Sequence, residues 1–245
     1  MAENNSTNAL DKAIDQIALT GVFSAPDKAT LSDEIYGALR EGLMVGEWLP
    51  GAKITARRVA KHYDTSLSPA RDAMTRLANE GGLTLSDTRM YSVPRLSASD
   101  YMEVIDLRVA LEPMAARQAV NNISEQTIFQ LDQLNEDMRH LIEQGQFQDA
   151  LILDSRFHLD FYRSCDSLVL RQVINNLWLR IGPTRNMLFE SYRKEMAGYK
   201  NHRLILEALR TKDSARIVKL IGLDLKQGAS RIEKALLDTG SRSEM

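Results

Sequence analysis

Past the stretch VPRLSASD, apolar residues recur at three- and four-residue intervals almost to the end of this 245-residue chain. A pattern with that period is buried as α-helix, one apolar stripe per helix, so this part of the chain has to be a set of packed helices. The stripes mark helices over about 99–120, 124–144, 147–165, 167–194, 196–211 and 213–237, and Gly182-Pro183 should kink or break the fourth. Short connections between long amphipathic helices favour an antiparallel bundle. There is no internal repeat and no low-complexity segment to suggest a solenoid or a tail.

The front of the chain is patterned differently. TLSDEIYGALREGLMVGEW carries Ile35, Ala38, Leu39 and Leu43 at helical spacing, with Thr30 or Ser32 able to cap the start. Pro50-Gly51 makes a turn. TARRVAKHYD then reads as a short helix capped by Thr55, burying Ala56, Val59, Ala60 and Tyr63. In SLSPARDAMTRLANEGG, Ser68 is the expected N-cap and Pro69 the first helical residue, with Ala70, Ala73, Met74 and Leu77 facing inward and Gly81-Gly82 ending the helix. LTL and YSV alternate around SDTRM, which predicts a small two-stranded wing. The expected organisation is mainly α: a polar, mobile arm over 1–28, a winged helix-turn-helix over 29–95 and an all-helical antiparallel bundle over 96–240, with Pro94 and its serine-rich neighbours as linker.

Helix, turn, helix and hairpin in that order fit a DNA reader. The third helix can enter a major groove about 12 Å wide, and the hairpin can reach the adjacent phosphates. Arg57, Arg71 and Arg89 supply cations on the outside. A formal net charge of −2 argues against a protein basic all over but not against a local basic face. The competing reading is a small helical subdomain with solvated arginines. A single cysteine, Cys165, leaves no internal disulfide framework and fits a reducing cytoplasm. No apolar run approaches the ~20 residues that span a bilayer, and MAENNSTNALDKAIDQ lacks the layout of a signal peptide.

Five ionisable residues of the rear helices stand where apolar ones belong. Asp154 and His158 share the stripe Ala150, Leu151, Phe157, Phe161 and Cys165, one helical turn apart. His202 lies in line with Tyr199, Ile205 and Leu209, Asp224 with Ile217, Leu220 and Ile221, and Arg108 between Val104, Ile105 and Leu111. A buried charge is paired, neutralised or bound to something. Two carboxylates and two imidazoles form a reasonable ligand set for a divalent ion such as zinc, manganese or nickel. Open positions on that ion would hold a small carboxylate, with Arg108 as a bidentate clamp. The plainer alternative is a hydrogen-bonded core histidine beside a structural Asp-x-x-x-His pair. His62 and His140 lie in polar contexts and receive no role.

Four segments, in order and at matching spacing, resemble the GntR family of bacterial transcription regulators, in the branch with a helical FCD effector domain. They are LREGLMVGEWLPGAKI, RRVAKHYDTSLSPARDAMTRLANEGGL, DLRVALEPMAARQA and DSRFHLDF, and the resemblance covers about residues 30–237. It implies a homodimeric cytoplasmic regulator, a repressor by family habit, reading a palindromic double-stranded DNA operator. Its DNA contacts would map to Arg57, Ser66, Ser68, Arg71 and Arg89. Its metal ligands would map to Asp154, His158 and His202, with Asp224 where a histidine is usual. That exchange adds negative charge and favours a harder cation, or else marks a metal-free pocket. Leu67 replaces a customary arginine and Met90 a customary wing glycine, so operator preference does not carry over. Two other classes remain at this point: a metal-dependent enzyme on the bundle, or an interaction module whose winged helix no longer binds DNA. Against the enzyme, the chain has no Gly-x-Ser-x-Gly, no His-Glu-x-x-His and no pair of Glu-x-x-His motifs.

Overall fold

A computed structural model describes residues 30–188 and 196–243; the arm read over 1–28 lies outside the described residues. Helix α1 (Leu31–Val45) opens with a capping box, Thr30 and Asp33 each accepting the other's backbone N–H, and closes at Gly46, whose φ of 85° only glycine adopts freely. Strand β1 (Lys53–Ile54) and helix α2 (Ala56–His62) follow, α2 capped by Thr55 as expected. Helix α3 (Leu67–Asn79) buries Ala70, Ala73, Met74 and Leu77, the face that its spacing predicts.

Two local expectations are corrected. Helix α3 starts two residues earlier than read: Ser66 is its N-cap residue, without a side-chain cap bond, and Ser68 and Pro69 sit inside the first turn. Proline fits there because the first backbone N–H groups have no partner within the helix. The wing is three-stranded, not two-stranded. β3 (Tyr91–Ser92) pairs antiparallel with β2 (Thr84–Leu85) and with β1, in the order β1-β3-β2. At the wing tip the left-handed residue is Arg89, with φ of 57°, so the turn that lacks a glycine at 90 is closed one position earlier. Ser86 stitches it, its N–H donating to the Met90 carbonyl and its Oγ accepting from the Met90 N–H.

Ser97 and Asp100 form a second capping box at the start of α4 (Ala98–Asn122). Helices α5 (Glu125–Glu143), α6 (Phe147–Arg163), α7 (Leu168–Ile181), α8 (Ala197–Arg210) and α9 (Ser214–Ser243) complete the bundle, α9 lying along α4 and α5 along both α6 and α8. Gly182-Pro183 does end α7, and the chain continues as a 3-10 segment, Gly182–Leu188, in place of the expected α-helix; the rest of that expectation, 189–194, lies outside the described residues. That segment meets the front of the molecule. A Cβ on Gly182 would lie 2.1 Å from the Leu43 carbonyl oxygen, so only glycine lets the 3-10 segment approach the end of α1. The main apolar cluster crosses the same junction, joining Ile35, Leu39 and Leu43 to Ile174, Trp178 and Phe161. No helix of the described residues is long and apolar enough to cross a membrane.

Candidate metal centre and nucleic-acid interface

Helix α6 directs Asp154 and His158 inward, α8 brings His202 across to them, and α9 supplies Asp224. Asp154, His158 and His202 are buried, and one donor atom from each lies within 4.8 Å of the other two. The Nε2 atoms of His158 and His202 face each other at 3.1 Å, His158 Nε2 lies 3.2 Å from Asp224 Oδ2, and His202 Nε2 lies 3.6 Å from Asp154 Oδ1. Two nitrogen or oxygen donors held by one ion at about 2.1 Å are roughly 3.0 to 3.5 Å apart, so these spacings suit a shared divalent ion.

The surroundings of His202 prepare it as a ligand. Asn135, fully buried on α5, donates through Nδ2 to the Tyr199 carbonyl at 3.4 Å, which turns its Oδ1 towards His202 Nδ1 at 3.1 Å. The ring proton then belongs on Nδ1, and the Nε2 lone pair points into the cluster. Phe157 stacks on the same ring at 3.8 Å. Burial pushes the His202 imidazole down to about 4, and the neighbouring Asp154 only partly offsets it, so the ring is neutral, as a ligand must be. His158 is arranged the other way: its Nδ1 is buried without a hydrogen-bond partner among the described residues, and its Nε2 faces Asp224. Burial disfavours the charged form of Asp224, but the His158 hydrogen bond and the two imidazoles outweigh it and hold that carboxyl well below its ordinary range.

Asp154 is engaged by a residue the sequence reading missed. Arg185, on the 3-10 segment, donates to Asp154 Oδ2 and to Ser155 Oγ. Burial would raise the Asp154 carboxyl, yet the Arg185 guanidinium and the imidazoles hold it low. Arg108 lies near the same place but is not free. Its Nε donates to Glu112 Oε1 at 2.5 Å, and its guanidinium stacks over Trp178 at 4.0 Å, with that of Arg185 4.8 Å from the same ring. Glu112, fully buried, also accepts from Trp178 Nε1 at 2.9 Å and Tyr162 Oη at 2.8 Å. Arg108, Arg185, Trp178, His158 and Asp224 line a cavity of about 40 Å³. That volume suits an ion or a water molecule; an organic acid needs Arg185 or its neighbours to move.

At the other end of the molecule, Arg57, Ser66, Ser68, Arg71 and Arg89 are all exposed. The three arginines make no ion pair or side-chain hydrogen bond among the described residues. Arg76, on the same helix as Arg71, is tied down instead: it pairs with Asp33 at 2.6 Å and stacks over Tyr36 at 3.9 Å. Leu67, at the first helical position, is 40% exposed. The free cations therefore stand at the front end of α3, at α2 and at the wing tip.

This is a three-helix unit with a β wing, joined to a helical bundle that gathers carboxylates and imidazoles at its centre. Residues 31–89 match the model of the bacterial regulatory proteins of the gntR family, and residues 103–226 match that of the FCD domain. The chain belongs to the GntR family. Within this family it is 28% identical to the HTH-type transcriptional regulator McbR of Escherichia coli K12 over 186 residues, 75% of this chain and 84% of that one. It is 25% identical to the transcriptional repressor RspR of the same organism over 197 residues, 80% of this chain and 86% of that one. The solved structure of E. coli McbR/YncC superposes with a TM-score of 0.76 at 25% identity, over 84% of this chain and 99% of that one. The chain is thus a bacterial transcriptional regulator of the GntR family, and its relatives are regulators, not enzymes.

Proposed function

We propose that this GntR-family regulator is a repressor that binds a palindromic operator as a homodimer in the bacterial cytoplasm. A divalent ion held by Asp154, His158 and His202, with Asp224 as fourth ligand, adjusts its grip on DNA together with a small carboxylate. The observation that carries the reading is the spacing of the donor atoms, 3.1, 3.2 and 3.6 Å, inside a buried cluster. The ion would supply a positive centre for a carboxylate; this chain supplies the cage, the neutral imidazole of His202 and two guanidinium groups beside Trp178. Towards DNA, Arg71, Ser66 and Ser68 at the front of α3 would meet bases and phosphates, Arg57 the backbone, and Arg89 the groove beside the wing.

Metal content by mass spectrometry, after incubation with zinc, manganese or nickel and desalting, tests the metal reading. About one ion per chain is expected, and the His158→Ala/His202→Ala double variant, checked for folding by circular dichroism, should retain none. A folded wild-type protein without stoichiometric metal refutes it. A metal-free pocket is the second reading, favoured by the contacts of Asp154 with Arg185 and of Asp224 with His158, which give both carboxylates partners. A titration of wild-type protein with short organic acids in chelator separates the two, since only a metal-free pocket binds them there. Operator binding is measured by fluorescence anisotropy at several salt concentrations, where affinity should fall steeply through counterion release.

A further inference from the structure

A second cavity lies outside the metal cluster, at the junction between the winged helix-turn-helix and the bundle. It measures about 400 Å³, and its walls come from α1, α6 and α7, with Leu134 of α5. Helix α6 carries two faces. Asp154 and His158 point to the metal cluster, whereas Arg156, Leu159, Asp160 and Arg163, at i, i+3, i+4 and i+7, share another face that borders this cavity. The floor is apolar, built from Met44, Val45 and Leu159, and Arg171 reaches in from α7.

Two of its cations are only partly satisfied. The Nε of Arg156 and the Nε of Arg171 are both buried without a hydrogen bond among the described residues. Arg156 makes no hydrogen bond or ion pair at all among the described residues, and Arg171 reaches only the Arg163 carbonyl, at 3.5 Å. Of the carboxylates nearby, Asp160 is paired with Arg163 at 2.7 Å, while Glu41 and Glu47 attract Arg156 through space without a hydrogen bond or ion pair to it among the described residues. Burial raises both Glu41 and Asp160 above their ordinary values, against the pull of the arginines, which weakens them as competitors for a guest. A buried guanidinium donor left unsatisfied is costly, and two of them lining one cavity call for an anion.

We propose that this junction cavity is a second ligand site, distinct from the metal cluster, for an amphipathic monoanion with a carboxylate- or sulfonate-type head group and a compact apolar body. The head group accepts from Arg156 and Arg171, and the apolar body lies on Met44, Val45 and Leu159. The volume falls in the range of small-molecule sites, and the guest would touch the first helix of the DNA-binding unit and two bundle helices at once. Its occupancy thereby ties those helices together, in a part of the molecule that the metal ligands do not reach.

The test uses the full-length protein and 1-anilinonaphthalene-8-sulfonate, an amphipathic monoanion, with octanoate as competitor. Fluorescence and calorimetry should give about one dye per chain, displaced by octanoate. Arg156→Gln and Arg171→Gln, neither in the DNA nor in the metal machinery, should each weaken binding about tenfold or more while leaving the thermal midpoint near wild type. His158→Ala should leave the dye affinity unchanged, so failure of the metal reading does not touch this one. Dye affinity unaltered in both arginine variants, or lost in His158→Ala, overturns the proposal. It is equally overturned if sedimentation shows the arginine variants dissociating the oligomer, because the cavity then belongs to a second copy of the chain.

Discussion

Glu47, just past the end of α1, has a buried carboxylate oxygen without a hydrogen-bond partner among the described residues, and burial pushes its carboxyl up to about 8. The folded protein therefore keeps a proton there that the unfolded chain gives up near 4.5. With the folded value raised, the contribution to stability is complete below about 4.5 and is lost as the pH rises through about 8. Glu47→Gln, which mimics the protonated form, should flatten that decline and stabilise the protein at pH 9 by about 2 kcal/mol or more, read from urea unfolding at pH 5, 7 and 9. An unchanged pH dependence refutes the assignment. Arg71 and Arg76 make a second contrast. Arg71→Ala should weaken operator binding about tenfold or more and lessen its salt dependence, whereas Arg76→Ala, whose cation is held by Asp33 and Tyr36, should change affinity less than about threefold. Anisotropy titrations of both variants decide it. At this scale much of the candidate site was legible. Asp154, His158 and His202 interrupt apolar stripes, and a stripe is a strong signal. Asn135 interrupts one too, between Leu131 and Met138, and Glu112 stands one turn beyond Arg108, so both could have been read. Arg185 could not, because it lies in a 3-10 segment where no stripe exists against which it stands out.

Among the elements, the 3-10 segment Gly182–Leu188 does the joining. Asn186 Nδ2 donates to the carbonyls of Gly46 at 2.8 Å and Trp48 at 3.2 Å, and Ser155 Oγ, under Arg185, donates to the Val45 carbonyl at 3.3 Å. Gly182 sets how close that segment comes to α1. A methyl group there meets backbone oxygens of Leu43 and Met44, which cannot turn aside as a side chain would. Gly182→Ala should therefore destabilise the protein by about 1–3 kcal/mol, seen as a lower thermal midpoint, even though alanine is the better helix former. A midpoint at or above wild type would show that the junction is loose. The sequence predicted the break at Gly182-Pro183 and the helices on either side of it, because both rest on local signals. It missed β1, since two residues after a Pro-Gly turn carry no alternation, and their pairing with Tyr91 and Ser92 is a tertiary choice.

Across the whole molecule, the candidate metal cluster and the DNA-binding unit are linked through a short run of contacts. Arg185 holds Asp154 and Ser155 on one side of the 3-10 segment, and Asn186, the next residue, holds the backbone that leaves α1. On the proposed reading, an ion that took Asp154, or a carboxylate that attracted Arg185, would change the position of Arg185 and with it the seat of Asn186. If the proposed metal site regulates DNA binding by this route, linkage requires reciprocity: the factor by which zinc changes operator affinity must equal the factor by which operator changes zinc affinity. A factor of about 5 to 150 is the usual size of such coupling. Asn186→Ala severs the grip on Gly46 and Trp48 without touching any candidate ligand. It should leave zinc affinity within about threefold of wild type, yet bring the coupling factor close to one. Both quantities come from zinc titrations with and without a saturating operator duplex. Coupling that survives intact in Asn186→Ala would mean that the signal travels instead through the apolar cluster in which Leu39 and Leu43 join Ile174 and Trp178.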